Sequence, residues 1–349
     1  MSKKLPILFL IMVLAGALFA KEPFEIARGA IKLVLYPDSG SFTLYKLSDV
    51  GKNRYEALYD DRDASATSWF SVLSNGRVFK LAKKAGKPIA FTETTDGAKF
   101  VFTLTDDFQV EQEFTLVASP QGGSDPFVAI DTRIENTSGK DGVFALKALF
   151  DTTLGESEGI HFFTDLRNRV SAEARLRDGI DGDAWIVSKK DSLAVMFLRS
   201  GSGVTAPETV YLANWDRLNT LTWNPDFVEG RSFNTIYSIN DSAILYVWPE
   251  KSLGPNETLS VRMLIGSSAG APGGALGPKG GSLEAKGAAR AQGVTPADPR
   301  LADKSYREAA IKDLLDRIAV VERNPDSVST DELTRLNAEL DFMLKQGGE

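Results

Sequence analysis

The chain has no cysteine. That excludes disulfide staples, thiol nucleophiles and cysteine-ligated metals, and leaves the fold to be held by its core alone. Histidine occurs once, as His161, so a histidine-based metal site would need carboxylates for its other ligands. Positive charge is in the minority: 40 Lys and Arg against 47 Asp and Glu give a net charge of −7 at pH 7. No domain-wide basic footprint exists, and nucleic acid is not an expected partner. A Gly-x-Ser-x-Gly nucleophile elbow is absent. Beyond the N-terminus no apolar run approaches the roughly 20 residues that a membrane helix needs. Before residue 300 no helical periodicity runs longer than about ten residues.

What is present fits an ordinary globular protein. Hydrophobic residues make up 43% and charged residues 25% of the 349 positions, enough for one large domain or two small ones. Met1-Ser-Lys-Lys4 is basic, Leu5 to Leu14 is almost wholly apolar, and small residues follow up to Ala20. Residues 1–20 therefore read as a cleaved secretory signal, and the protein as periplasmic or secreted.

Residues 21–267 read as strand after strand. Ser41-Phe-Thr-Leu-Tyr-Lys-Leu47, Lys99-Phe-Val-Phe-Thr-Leu-Thr105 and Phe108-Gln-Val-Glu-Gln-Glu-Phe-Thr-Leu116 alternate apolar with polar. That period marks strands with one wet and one buried face. Asn75-Gly76 and Asp96-Gly97 are hairpin signals. The fold class expected is mainly β, one large antiparallel β-sandwich of about fifteen strands. Residues 268–303 are dominated by Gly, Ala and Pro, lack aromatics, and read as a flexible linker. Residues 304–346 change to a period of 3.6. Capping boxes at Ser305-Tyr-Arg-Glu308 and Ser329-Thr-Asp-Glu332, with a stop at Asn324-Pro325, predict an amphipathic αα-hairpin. Its apolar stripes, carrying Ile311, Leu315, Ile318, Leu336, Leu340 and Met343, are the expected partner-binding surface.

Several stretches invite a chemical reading. Phe150-Asp-Thr-Thr-Leu-Gly-Glu-Ser-Glu-Gly159 gathers three acids just before His161. It reads as the corner where a buried strand leaves its sheet, with Asp and Thr bonding nearby backbone. The alternative is a calcium loop using Asp151, Glu156 and Glu158, although no known loop spacing is matched. His161 reads as a surface or hydrogen-bonded residue at a strand start. Asp60-Asp-Arg-Asp63 reads as a solvated loop, and Asp178-Gly-Ile-Asp-Gly-Asp183 as a hairpin turn with metal as the alternative. Trp185, Trp215, Asp216, Arg217 and Trp223 are the candidate glycan contacts, since tryptophan offers an apolar face with a polar handle. The alternative for these rings is core packing. No cofactor and no metal site are expected.

The closing strands carry a resemblance. Asp241-Ser-Ala-Ile-Leu-Tyr-Val-Trp248, Leu253-Gly-Pro-Asn-Glu-Thr-Leu259 and Leu264-Ile-Gly266 resemble the last strands of galactose-mutarotase-like supersandwich domains of exported bacterial envelope proteins. Phe150-Asp-Thr-Thr-Leu-Gly155 and Ala213-Asn-Trp215 are similar to two further short elements of such domains. Asn256 stands where glycine is more usual; Asn tolerates the left-handed turn. The resemblance implies the fold over about residues 25–266. Aldose epimerases of that fold use histidine together with a glutamate, and the surroundings of His161 do not match that motif. No catalytic residue is implied. The expected function is therefore a non-catalytic exported scaffold, its sandwich a platform and its hairpin a docking module for another envelope protein. A periplasmic flagellar assembly is one setting this suggests. Two alternatives stand beside it: a glycan-binding protein using the tryptophan-rich half, and a carbohydrate-active enzyme with carboxylates paired at roughly 5–9 Å.

Overall fold

The computed structural model describes residues 22–60, 67–84, 87–120, 126–167, 169–235 and 238–267, with the Glu158 side chain excepted. The expected signal, linker and helical hairpin lie outside them. Four strands come first as an antiparallel meander: β1 (Phe24–Arg28), β2 (Ile31–Tyr36), β3 (Ser41–Asp49) and β4 (Arg54–Ala57). The chain then builds two larger antiparallel sheets. Their strands are β5 (Trp69–Ser74), β6 (Arg77–Lys80), β7 (Ile89–Thr94), β8 (Gly97–Phe102), β9 (Phe108–Val117), β10 (Phe127–Asn136), β11 (Gly142–Thr152) and β12 (Phe163–Thr164). They continue as β13 (Ala174–Arg177), β14 (Trp185–Lys190), β15 (Leu193–Leu198), β16 (Thr209–Asn214), β17 (Ser242–Val247), β18 (Lys251–Leu253) and β19 (Thr258–Gly266).

The eight-stranded sheet has the order β12-β14-β15-β19-β10-β9-β8-β7. The seven-stranded sheet has the order β13-β16-β17-β11-β5-β6, with β18 also paired to β11. Among the described residues there are thus 19 strands in three antiparallel sheets, consistent with the mainly β sandwich expected but with more than the fifteen or so strands the sequence suggested. The short strands β4, β12, β13 and β18 are too brief to show a period of two.

Alternation explains the layering. Phe100, Phe114, Ile130, Phe150, Phe197, Ile244 and Tyr246 turn inward and share one core with Leu33, Phe42 and Leu44 of the meander. Rings meet there at tilted or edge-on angles, as aromatic quadrupoles prefer: Phe42 and Phe114 at 4.7 Å, Phe70 and Phe150 at 5.8 Å and 89°. Each such buried ring contributes about 2–3 kcal/mol through the area it removes from water. Two glycine positions show why the turns are where they are. Asn75 and Gly76 both take positive φ, 48° and 79°, joining β5 to β6 in the two-residue turn that suits strand twist. At Gly97 a Cβ would lie 1.7 Å from the Phe114 carbonyl oxygen, so only glycine lets β8 approach β9. Asn256 takes φ 63°, the left-handed conformation expected of it.

Candidate functional site

The site grows from β11. Its run Gly-Val-Phe-Ala-Leu-Lys-Ala-Leu-Phe-Asp-Thr sends Phe144, Leu146, Ala148 and Phe150 into the core. The other parity, Lys147, Leu149 and Asp151, faces outward. Trp69 of β5, Tyr211 and Ala213 of β16, and Ala243, Leu245 and Val247 of β17 share that outer face. After β16 the chain turns back over it. Asn214 caps a single helical turn, α1 (Trp215–Leu218), by accepting from the Asp216 amide at 3.0 Å. This lays Trp215, Leu218, Trp223 and Phe227 on the sheet. The Trp215 indole N–H donates to the Thr67 carbonyl at 2.9 Å, and that of Trp69 to Asn219 Oδ1 at 3.1 Å.

A buried ion pair pins the far side of this segment. Glu173 is fully buried and pairs with Arg217, whose side chain is 12% exposed. Arg217 also donates to the Ser232 and Asn234 carbonyls at 2.8 and 2.6 Å, and Asn214 to the Phe233 carbonyl at 2.6 Å. Arg217 is thus spent on the segment's own backbone. His161 stacks on Phe233 with ring centroids 4.0 Å apart. It is buried and its Nδ1 has no hydrogen-bond partner, contrary to the surface or hydrogen-bonded position expected. Burial lowers its pKa to about 4.

Lys147 lies at the centre of the outer face and is 1% exposed. Its Nζ donates to the Thr222 carbonyl at 2.7 Å and to the Thr220 carbonyl at 3.3 Å. It stands 5.5 Å from the Trp69 ring centroid and 5.6 Å from that of Trp223. Two π-faces and two carbonyl dipoles replace water around the ammonium. Desolvation still lowers its pKa to about 8. Nothing in the sequence singles this lysine out except its place in an apolar run.

The opposite end of the face is acidic. Carboxylate oxygens of Asp151, Glu156 and Asp241 lie within 4.8 Å of one another. Asp151 ends β11. Glu156 opens a short 3-10 turn, Glu156–Glu158, closed by Gly159 in the left-handed region. Asp241 immediately precedes β17. Glu156 Oε1 accepts from the Ser242 amide at 3.0 Å and Asp241 Oδ2 from the Ser238 hydroxyl at 2.8 Å. Thr152 and Ser242 exchange hydroxyl-to-carbonyl bonds of 3.0 and 2.7 Å between the two strands. The Trp215 amide donates to the Asp241 carbonyl at 3.2 Å, and its half-buried indole donates to the carbonyl of Thr67, next to Ser68, whose hydroxyl accepts from the Asp151 amide at 3.0 Å. The stretch from Phe150 to Gly159 is therefore both a strand-to-turn corner and an acidic cluster. Two of its acids meet a third, Asp241, from about ninety residues away, which nothing in the sequence groups with them. Among the described residues this is the set of acids spaced to hold a hard cation.

The other candidates disperse. Trp185 is buried in a separate apolar cluster on the outer face of the eight-stranded sheet, with Phe127, Val187 and Met196. It shares no surface with Trp215 or Trp223. Asp216 is exposed and accepts from the Thr235 hydroxyl at 3.2 Å. Asp181 and Asp183 both pair with Arg167, at 2.8 and 3.2 Å, and Arg199 donates to the Asp183 carbonyl at 2.7 Å. The 178–183 stretch is an ion-paired turn. Asp60 is buried where a solvated loop was expected, and residues 61–63 lie outside the described part. A polar groove of about 720 Å³ beside β3 and β4, with Asp49, Arg54, Glu56, Lys190 and Asp191, has no aromatic lining. Ile311, Leu315, Ile318, Leu336, Leu340 and Met343 fall outside the described residues. No helix among the described residues is long and apolar enough to cross a membrane.

No family model matches the chain, and a search of curated proteins finds no relative. Solved structures do match. A protein of Escherichia coli K12 classed as an aldose 1-epimerase is 10% identical, with 71% of this chain and 99% of that one covered at a TM-score of 0.44. A galactose mutarotase-like protein of Lactobacillus casei ATCC 334 is 8% identical, with 71% and 100% covered at a TM-score of 0.42. A polysaccharide lyase, BACCELL_00875, is 12% identical, with 70% of this chain and 34% of that one covered at a TM-score of 0.40. The likeness is a fold-level resemblance to galactose-mutarotase-like structures, in line with the resemblance of the closing strands. One expectation is overturned. The chain was read as not an enzyme, but the structures its fold resembles include proteins classed as an epimerase and a lyase.

Proposed function

We propose that the protein recognises carbohydrate on the outer face of the seven-stranded sheet, at the corner where Trp215 stands beside Asp151, Glu156 and Asp241. That juxtaposition carries the reading. A sugar ring presents an apolar C–H face and a rim of hydroxyls. An indole held by its own N–H bond to Thr67 offers a pre-oriented platform for the first. Carboxylates accept strongly from the second, because charge-assisted hydrogen bonds are about twice as strong as neutral ones. The fold is compatible with a carbohydrate-related role.

Calorimetric titration of the full chain against a panel of neutral oligosaccharides tests this. At least one is expected to bind, with Trp215→Ala and Asp241→Asn each weakening it tenfold or more. A panel that binds nothing, or binding indifferent to both changes, contradicts the reading. Anomeric proton resonances in the same samples report whether the bound sugar is turned over.

A further inference from the structure

We propose that Lys147 marks a second, covered subsite on the same face, which takes the carboxylate of an acidic sugar when the 219–224 turn lifts. The proposal rests on the carbohydrate reading above and names the class of sugar.

The first observation is a charge without its counter-charge. Lys147 is buried among Trp69, Trp223 and two backbone carbonyls, and among the described residues no carboxylate pairs with it. Buried charges are normally paired, because neutral dipoles replace only part of the lost hydration. Glu173 and Arg217, a few strands away on the same sheet, keep that rule. Its amine remains mostly protonated at neutral pH, with a pKa lowered only to about 8. An anion entering between the two rings would supply what the fold omits.

The second observation is how lightly the cover is fastened. The turn's own bonds are local: the Asn219 amide donates to the Trp215 carbonyl at 2.7 Å and that of Thr220 to the Leu218 carbonyl at 2.8 Å. The Thr220 and Thr222 hydroxyls lie 2.9 Å apart. The bonds that hold residues 219–224 to the strands beneath come from two side chains, Lys147 Nζ and the Trp69 indole. Leu221 at its tip is 70% exposed, and Trp223 is the one apolar side chain of the turn that packs on the sheet. Segments fastened by few contacts open at low free energy.

The third is what the opening would reveal. Trp69 of β5 stays beside the ammonium when the turn lifts, so a pyranose ring can enter next to it while its carboxylate meets Nζ, and Trp223 closes over the ring as the turn returns. Along β11, Lys147 lies four residues from Asp151, about 13 Å at strand rise. A short oligosaccharide with an acidic residue at one end and a neutral one at Trp215 spans that interval.

The test titrates the full chain with an oligouronate and with the same glycan after carboxyl reduction, with sodium acetate as the bare anion. The wild type is expected to prefer the oligouronate at least tenfold and to ignore acetate. Lys147→Met should abolish the preference while still binding the reduced glycan, and Lys147→Arg should keep it. Trp223→Ala, placed on the turn and outside every strand, should also lose it. Trp215→Ala should weaken both glycans alike. Equal affinity for the two glycans in the wild type overturns the subsite and leaves the carbohydrate reading standing. So does a preference that survives Lys147→Met in protein with a wild-type melting profile. Acetate binding as tight as the oligouronate overturns the sugar part of the proposal. If neither glycan binds, both readings fall together.

Discussion

Outside the eight-stranded sheet, Phe127, Ala129, Trp185, Val187, Met196, Leu198 and Leu264 form an apolar cluster. Outside the seven-stranded sheet the same alternation delivers Trp69, Lys147, Leu149, Asp151 and Leu245, and a segment with two half-buried tryptophans lies across them. Both faces bury tryptophan and both are made by strands of one sandwich. They differ in what accompanies the rings. The first cluster is apolar, and farther along the same strands Asp131 and Arg262 pair with each other at 3.0 Å. The second mixes rings with an ammonium and three carboxylates, and is covered by a segment that both packs on it through Trp215, Leu218, Trp223 and Phe227 and bonds to it. Chemistry on a β-sandwich thus goes with the face where polar groups sit among rings.

The predictions press on that contrast, the largest effects first. Glu173→Ala strands Arg217 in a buried site and should cost about 3–5 kcal/mol, the usual penalty for breaking one side of such a pair. It should also loosen the segment that carries Trp215, lowering glycan affinity; chemical denaturation and calorimetry read the two effects. Trp185→Ala leaves a cavity of similar cost, about 3–5 kcal/mol, yet glycan affinity should not move. A change in affinity there would dissolve the distinction between the faces.

The pH dependence comes next. His161 is neutral in its stack on Phe233, with a pKa of about 4 against 6.5 unfolded. Between those values the unfolded chain binds a proton that the folded one refuses. Stability is therefore full above pH 6.5 and falls as pH drops toward 4, by up to about 3 kcal/mol at 1.36 kcal/mol per pH unit. His161→Phe should flatten that slope in urea melts taken from pH 7 to 4. The smallest effect is at Lys147. Below pH 8 its buried ammonium is a full cost to folding, and that cost is relieved as pH rises from about 8 to 10.5. At pH 7, Lys147→Met should therefore lie within about 1 kcal/mol of the wild type, or be more stable. A loss beyond about 3 kcal/mol would mean that the carbonyls and rings already satisfy the charge.

Much of this architecture can be read from the residues alone. The near-continuous apolar run of β11 announces a central strand, Asn75-Gly76 the β5–β6 hairpin, and Asp151-Thr152 the corner, because each is a local rule. The site is less legible. Trp185 and Trp215 look alike in sequence, since a ring's type does not say which face of which sheet it takes. Asp241 joins Asp151 and Glu156 only through the pairing of β11 with β17, a long-range fact. Lys147 looks like a mere interruption of an apolar stretch until the pairing of β5, β11 and the 219–224 turn sets it between Trp69 and Trp223. His161 was misplaced because its burial depends on Phe233, which arrives on a segment with no period of its own.

Hydroxyl-radical footprinting of the full chain, with and without a bound neutral oligosaccharide, tests the central claim most directly. Oxidation of Trp215 should fall when the glycan binds, while Trp185 stays as unreactive as before. Protection that spares Trp215, or appears elsewhere on the molecule, would contradict the assignment of the seven-stranded face.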